Sequence, residues 1–184
     1  MLILGIGNRY RSDDAVGPLV ADRLAALGLP AREHGGEGAA LIEAWEGEGR
    51  VILVDATQSG AAPGTIRRLD AAAEPLPAAF FRYSTHRFGL AEAVETARAL
   101  GRLPASLVVY GVEGRCFDFG EGLSEAVAGV VERVVSMVEG DVVADNVAAL
   151  GPPPNLPPSS TGGGALIAER RQSPPSPLAH ACMR

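Results

Sequence analysis

The sequence predicts an α/β fold: a three-layer αβα sandwich around a mainly parallel, roughly five-stranded twisted sheet. Three observations carry that expectation. Residues 1–5 and 51–55 open as continuous apolar runs, the pattern of strands buried on both faces. Elsewhere apolar residues recur at helical spacing. The two kinds of segment alternate along the chain, which is the signature of βαβ units with helices on both sides of one sheet.

Taken in order, residues 1–5 form the first strand, broken by Gly5-Ile6-Gly7-Asn8. From residue 14 to 27, Val16, Leu19, Val20, Leu24 and Leu27 repeat every three to four positions, and Gly28 closes the helix. Residues 30–34 give a short strand before the turn His34-Gly35-Gly36, and 38–45 a short helix whose apolar face carries Trp45 into the core. The run Val51-Ile52-Leu53-Val54-Asp55 is the second buried strand. A turn from Gly60 to Gly64 leads into 65–69, an alternating, edge-like strand. Residues 90–100 form a helix closed by Gly101, and 107–112 another apolar strand. A long helix is expected over 123–138, with Val127, Val130, Val131, Val134 and Val138 as its buried stripe.

The composition changes after Gly140. Eight of the fourteen prolines lie beyond Leu150, alongside Pro152-Pro153-Pro154 and Gly162-Gly163-Gly164, and such a segment buries too little apolar surface to offset its chain entropy. The expected organisation is one α/β domain at 1–140 and a Pro/Gly/Ser-rich disordered tail at 141–184.

The 184 residues are 47% apolar, enough for one core. Net charge is −6, and all 16 basic residues are arginine without a cluster, so nucleic acid and anionic membrane are not expected partners. No apolar run approaches the roughly 20 residues that span a bilayer. The first residues lack the basic and apolar regions of a secretory signal. Cys116 and Cys182 are too isolated for a disulfide framework, so the cytoplasm is the expected compartment.

Open α/β sheets bind ligands at the carboxyl ends of their strands. The loop after the first strand carries Asn8, Asp13 and Asp14, the central strand ends on Asp55, and Tyr83-Ser84-Thr85-His86 brings an imidazole. Two carboxylates and one imidazole from three segments suit nickel or zinc and leave coordination positions open. An ion held so polarises a peptide carbonyl and lowers the pKa of bound water from about 16 towards 7. Taken singly, each of these residues serves equally well as a helix cap or loop tie.

Competing patterns are weaker. In a dinucleotide fingerprint begun by Gly5-Ile6-Gly7, the third glycine falls on Tyr10 and the ribose-reading acid on Glu37. Without lysine there is no P-loop, and neither H-E-x-x-H nor a G-x-S-x-G elbow around Ser59 or Ser84 occurs. Cys116 reads as a small buried thiol and His180 as a solvated tail residue.

Three ordered blocks do carry a resemblance. Gly5-Ile6-Gly7-Asn8 with Asp13-Asp14-Ala15-Val16-Gly17, Val54-Asp55-Ala56-Thr57 with Pro63-Gly64, and Ser84-Thr85-His86 with Gly89-Leu90 resemble the motifs of the hydrogenase maturation endopeptidases. A later block, Tyr110-Gly111-Val112, fits as well, and the likeness spans about residues 1–138. It implies an endopeptidase that removes a C-terminal extension from the nickel-loaded large-subunit precursor of a nickel–iron hydrogenase. It also implies that Asp14, Asp55 and His86 are both the metal ligands and the catalytic set. The nickel is expected to be substrate-borne, with zinc or cadmium able to take its place in a crystal. Two positions depart from the family pattern: Asp14 stands where Glu is frequent, and His34 where Asp is frequent. The loop glycines Gly5 and Gly7 are expected to allow tight turns and close approach of substrate backbone; Gly35 and Gly36 read as a plain turn in preference to the lining of a groove for an extended peptide. A nickel-sensing binding protein or chaperone of the same fold, which does not cut, is the rival expectation, and a nucleotide-binding domain the third.

Overall fold

A computed structural model describes residues 1–77 and 88–149. Five strands, β1 (Leu2–Ile6), β2 (Ala31–His34), β3 (Arg50–Thr57), β4 (Ile66–Asp70) and β5 (Ser106–Glu113), form one sheet in the order β2-β1-β3-β5-β4. β2, β1, β3 and β5 run parallel, and β4 pairs with β5 antiparallel at the edge. Both expectations hold here. The continuously apolar β1 is buried throughout, whereas β4 is half-buried or exposed along its length.

Helices α1 (Val16–Ala26), α4 (Glu125–Ala128) and α5 (Val131–Ala149) cover one face; α2 (Gly38–Ala44) and α3 (Leu90–Ala99) cover the other. The period-2 alternation of the strands divides the core between these layers. Ile3, Ile52, Val54 and Tyr110 pack with Val16, Val20, Leu24, Val134 and Val138 on the first face. Leu4, Val51, Leu53 and Val109 pack with Leu41, Trp45, Leu90 and Val94 on the second.

Two boundaries differ from the sequence reading. The single helix expected over 123–138 is divided, with Gly129 as the C-cap of α4; of the expected stripe, Val127, Val131, Val134 and Val138 are buried and Val130 is half-buried. The fold also runs past the compositional change at Gly140. Val142 continues the stripe one turn beyond Val138 and is buried. The Asp141 carboxylate accepts from the Tyr110 hydroxyl at 2.7 Å and from Arg68 Nε at 2.8 Å. A packed valine and a satisfied acid hold the helix on the sheet where composition alone suggested release. Of the tail expected over 141–184, residues 141–149 belong to α5, and those beyond 149 lie outside the described residues.

The seam between α1 and the sheet is unusually close. A Cβ on Gly5 would stand 2.0 Å from the Gly17 carbonyl oxygen, and one on Gly17 would stand 2.2 Å from that of Ile6 and 2.5 Å from that of Val54. Both glycines let the helix backbone rest on the strands, so Gly5 serves this contact, not the approach of a substrate. Gly17→Ala should cost about 1–3 kcal/mol by overpacking, despite alanine's better helix propensity. Urea unfolding would read this as a lowered midpoint with an unchanged slope.

Candidate active site

From β1 the chain crosses to β2 on one side, while β3 lies on the other, so the sheet has its switch point between the carboxyl ends of β1 and β3. At the end of β1, Gly7 adopts φ +138°, and a Cβ there would meet the Asp14 carbonyl oxygen at 1.9 Å. Only glycine fits this return. It lets the Asn8 amide donate to Asp14 Oδ2 at 2.9 Å, while Asn8 Oδ1 accepts from the Tyr10 amide at 2.9 Å. Ser12 then takes φ +47°, a strained value for a residue with a side chain, and starts a 3-10 turn, Ser12–Ala15.

The two adjacent acids on that turn have opposite fates. Asp13 is fully buried and accepts from the amides of Arg115 (2.7 Å), Cys116 (3.0 Å) and Ser124 (2.6 Å) and from the Ser124 hydroxyl (2.8 Å). Burial alone would raise its pKa, but these four donors outweigh it and hold the carboxyl below its ordinary value. Asp13 therefore ties the β1 loop to the segment after β5. Asp14, half-buried, faces the switch point. Burial is the main reason its pKa is raised, with the Asn8 amide and Arg11 opposing.

Asp55 follows the buried residues 51–54 of β3, which continues through buried Ala56 and Thr57, and it pairs in register with Gly111. Its pKa is pushed well above the ordinary carboxylate value, first by burial and then by the charge of Asp14; the Ala56 amide offsets only part of this. Asp14, from the 3-10 turn after β1, and Asp55, from β3, thus come together as mutually repelling acids. Such a pair is relieved by a proton or a cation, and carboxylate oxygens are suitable donors for a divalent ion.

His86 lies outside the described residues. The chain re-enters them at Phe88, whose carbonyl accepts from the Gly38 amide at 3.0 Å and whose ring rests on Gly38, where a Cβ would come within 2.3 Å. His34 ends β2 at the same rim. Its Nδ1 accepts from the Gly36 amide at 3.0 Å, and its pKa is lowered, chiefly by burial. This bond closes the turn His34-Gly35-Gly36, as its sequence suggests. Among the described residues no three acidic, imidazole or thiol groups converge on one point.

Sequence reasoning missed Glu113. Buried at the end of β5, it accepts from the Thr57 and Ser59 hydroxyls and from the amides of Ser59, Gly60 and Ala61 at 2.7–3.1 Å. Its role is to hold the loop that follows Asp55. The available signal was an acid closing an otherwise apolar strand, Tyr110-Gly111-Val112-Glu113. Cys116 is half-buried, and its backbone, not its thiol, meets Asp13.

Known proteins resemble this chain in sequence and fold. A family model described as hydrogenase maturation protease matches residues 32–141. The chain belongs to the hydrogenase maturation protease family. A putative hydrogenase maturation protease of Methanocaldococcus jannaschii is 30% identical over 152 residues, covering 77% of this chain and 96% of that protein. The hydrogenase 2 maturation protease of Escherichia coli is 28% identical over 145 residues, covering 75% and 87%. Among solved structures, the [NiFe] hydrogenase maturation protease HybD from Thermococcus kodakarensis is 27% identical with a TM-score of 0.60, covering 76% of this chain and 96% of its own. The hydrogenase maturating endopeptidase HybD from E. coli, at 23% identity and TM-score 0.62, shares the fold over 78% and 92%. As a hydrogenase maturation protease the chain is a peptide-bond hydrolase. No helix among its described residues is long and apolar enough to cross a membrane.

Proposed function

We propose that this hydrogenase maturation protease removes a C-terminal extension from the nickel-loaded precursor of a nickel–iron hydrogenase large subunit, in the cytoplasm, using Asp14, Asp55 and His86. The observation that carries the reading is the acid pair at the β1/β3 switch point. Two carboxylates with raised pKa values, supported by Asn8 and set among buried residues, stand ready to exchange their protons for a divalent cation. In this reading the nickel belongs to the substrate, and the two acids and the imidazole recognise it. A divalent ion seated there polarises a nearby peptide carbonyl. The chain's own part is to orient that carbonyl beside Asp14 and Asp55 and to hold the surrounding loops still through Asp13 and Glu113. The non-cutting nickel chaperone is not favoured, because the relatives are named as proteases and endopeptidases.

The test mixes the full chain with a nickel-loaded large-subunit precursor and, separately, with the nickel-free form, and weighs the products as intact masses. Loss of a C-terminal peptide only in the nickel-loaded sample is expected. His86→Ala should abolish that loss while leaving the thermal midpoint unchanged. Normal cleavage by the His86→Ala protein would remove His86 from the site.

A further inference from the structure

Two loops of the site rim, one after β1 and one after β5, are bonded into a single platform. The Ser12 amide donates to the Gly120 carbonyl (2.9 Å), the Gly120 amide to Tyr10 (3.0 Å) and the Ser12 hydroxyl to Asp118 (3.1 Å). Arg11 Nε and Nη2 both donate to the Phe117 carbonyl at 3.2 Å, and its guanidinium stands 5.3 Å over the Phe119 ring. Beneath these lies the buried Asp13 anchor. Arg9 adds a bidentate clamp to Asp22 at 2.8 and 2.9 Å.

On this stiffened platform Tyr10 is 65% and Phe119 84% exposed. Of the other large apolar side chains exposed among the described residues, Leu27 and Leu100 end α1 and α3 at the opposite rim, Met1 precedes β1 there, and Val143 lies on α5. Among the described residues, exposed aromatics are thus confined to the rim that bears Asp14. They are held with few degrees of freedom to lose, and aromatic and arginine side chains dominate binding hot spots.

The geometry points to Tyr10 and Phe119, with Arg11 between them, as the docking surface for the folded body of the precursor protein beside its metal centre. The inference rests on the proposed function and deepens it. Tyr10 is four residues from Asp14, so the two are within about 14 Å even at full extension. A standard protein interface covers about 800 Å² per partner, a disc of roughly 16 Å radius. A protein substrate delivering its metal to Asp14 and Asp55 therefore has to lie over this platform. The occupant is accordingly an apolar surface of that protein, not the short extension.

The experiment measures cleavage of the nickel-loaded precursor by the full chain and by Tyr10→Ser, Phe119→Ser and the double variant. KM for the double variant should rise at least tenfold with kcat within twofold. Zinc affinity and thermal midpoint should stay at wild-type values, since both side chains are exposed. Tyr10→Phe should retain the wild-type KM, and a Leu27→Ser, Leu100→Ser double variant should behave as wild type. An unchanged KM in the folded double variant, beside an active wild type, overturns the docking surface alone. A wild-type protein that cuts no cognate precursor overturns the proposed function and this inference with it.

Discussion

Asp55→Asn should lose at least a hundredfold in cleavage of the nickel-loaded precursor while the protein becomes no less stable, and it should become more stable by about 1 kcal/mol. The two effects share one cause. The folded chain holds the Asp55 carboxyl in a buried position beside Asp14, which raises its pKa well above the ordinary value. For an acid so shifted, the stabilising state is the protonated one. Its contribution is complete below the unfolded pKa and is lost as pH rises towards the folded pKa. Once the group ionises, the wild-type protein carries an unfavourable charge that an isosteric amide removes. The same shift makes proton and cation compete, so zinc or nickel affinity should weaken as pH falls through the raised range. Thermal melting with calorimetric metal titration at several pH values reads both effects. An asparagine variant that kept wild-type metal affinity would take Asp55 out of the coordination set.

Asp13→Ala, one residue from the proposed ligand Asp14, should do the reverse: destabilise the fold by about 3 kcal/mol or more. It removes the acceptor for three backbone amides and one hydroxyl in a buried place. For a domain of this size the midpoint should fall by about 6–12 °C. Because donors hold the Asp13 and Glu113 carboxyls below their ordinary values, both groups stabilise the fold above the unfolded carboxylate pKa. That contribution is lost as pH falls through the folded values. The alanine variant should accordingly show a shallower loss of stability on acidification than wild type. Unfolding curves between neutral pH and pH 3 test this, and parallel curves for the two proteins would contradict the assigned role.

The contrast between these neighbours shows where sequence reasoning stops. β1 and β3 were legible because a strand buried on both faces has no choice but to be continuously apolar. Asp55 was legible because it terminates such a run. Asp13 and Asp14 are chemically identical in the sequence, and the 3-10 turn decides which carboxylate turns inward; that turn depends on Ser12 and on contacts more than a hundred residues away. Glu113 escaped for the same reason, since its donors at Thr57 to Ala61 lie on another strand's loop. The break between α4 and α5 was hidden under an uninterrupted valine periodicity. Gly5 and Gly17 announce close approach, but only the packed structure shows that the visitor is the chain's own helix.

The two apolar layers meet only through the strands between them. Asp13 and Asp14 depend on the layer built from α1, α4 and α5, whereas Phe88 is seated in the layer of α2 and α3. Conservative exchanges around Trp45 or Val94 can therefore accumulate without disturbing the acid pair. The seats of the acid pair and of Phe88 thus answer to different halves of the interior, so that exchanges in one half can alter one seat without the other.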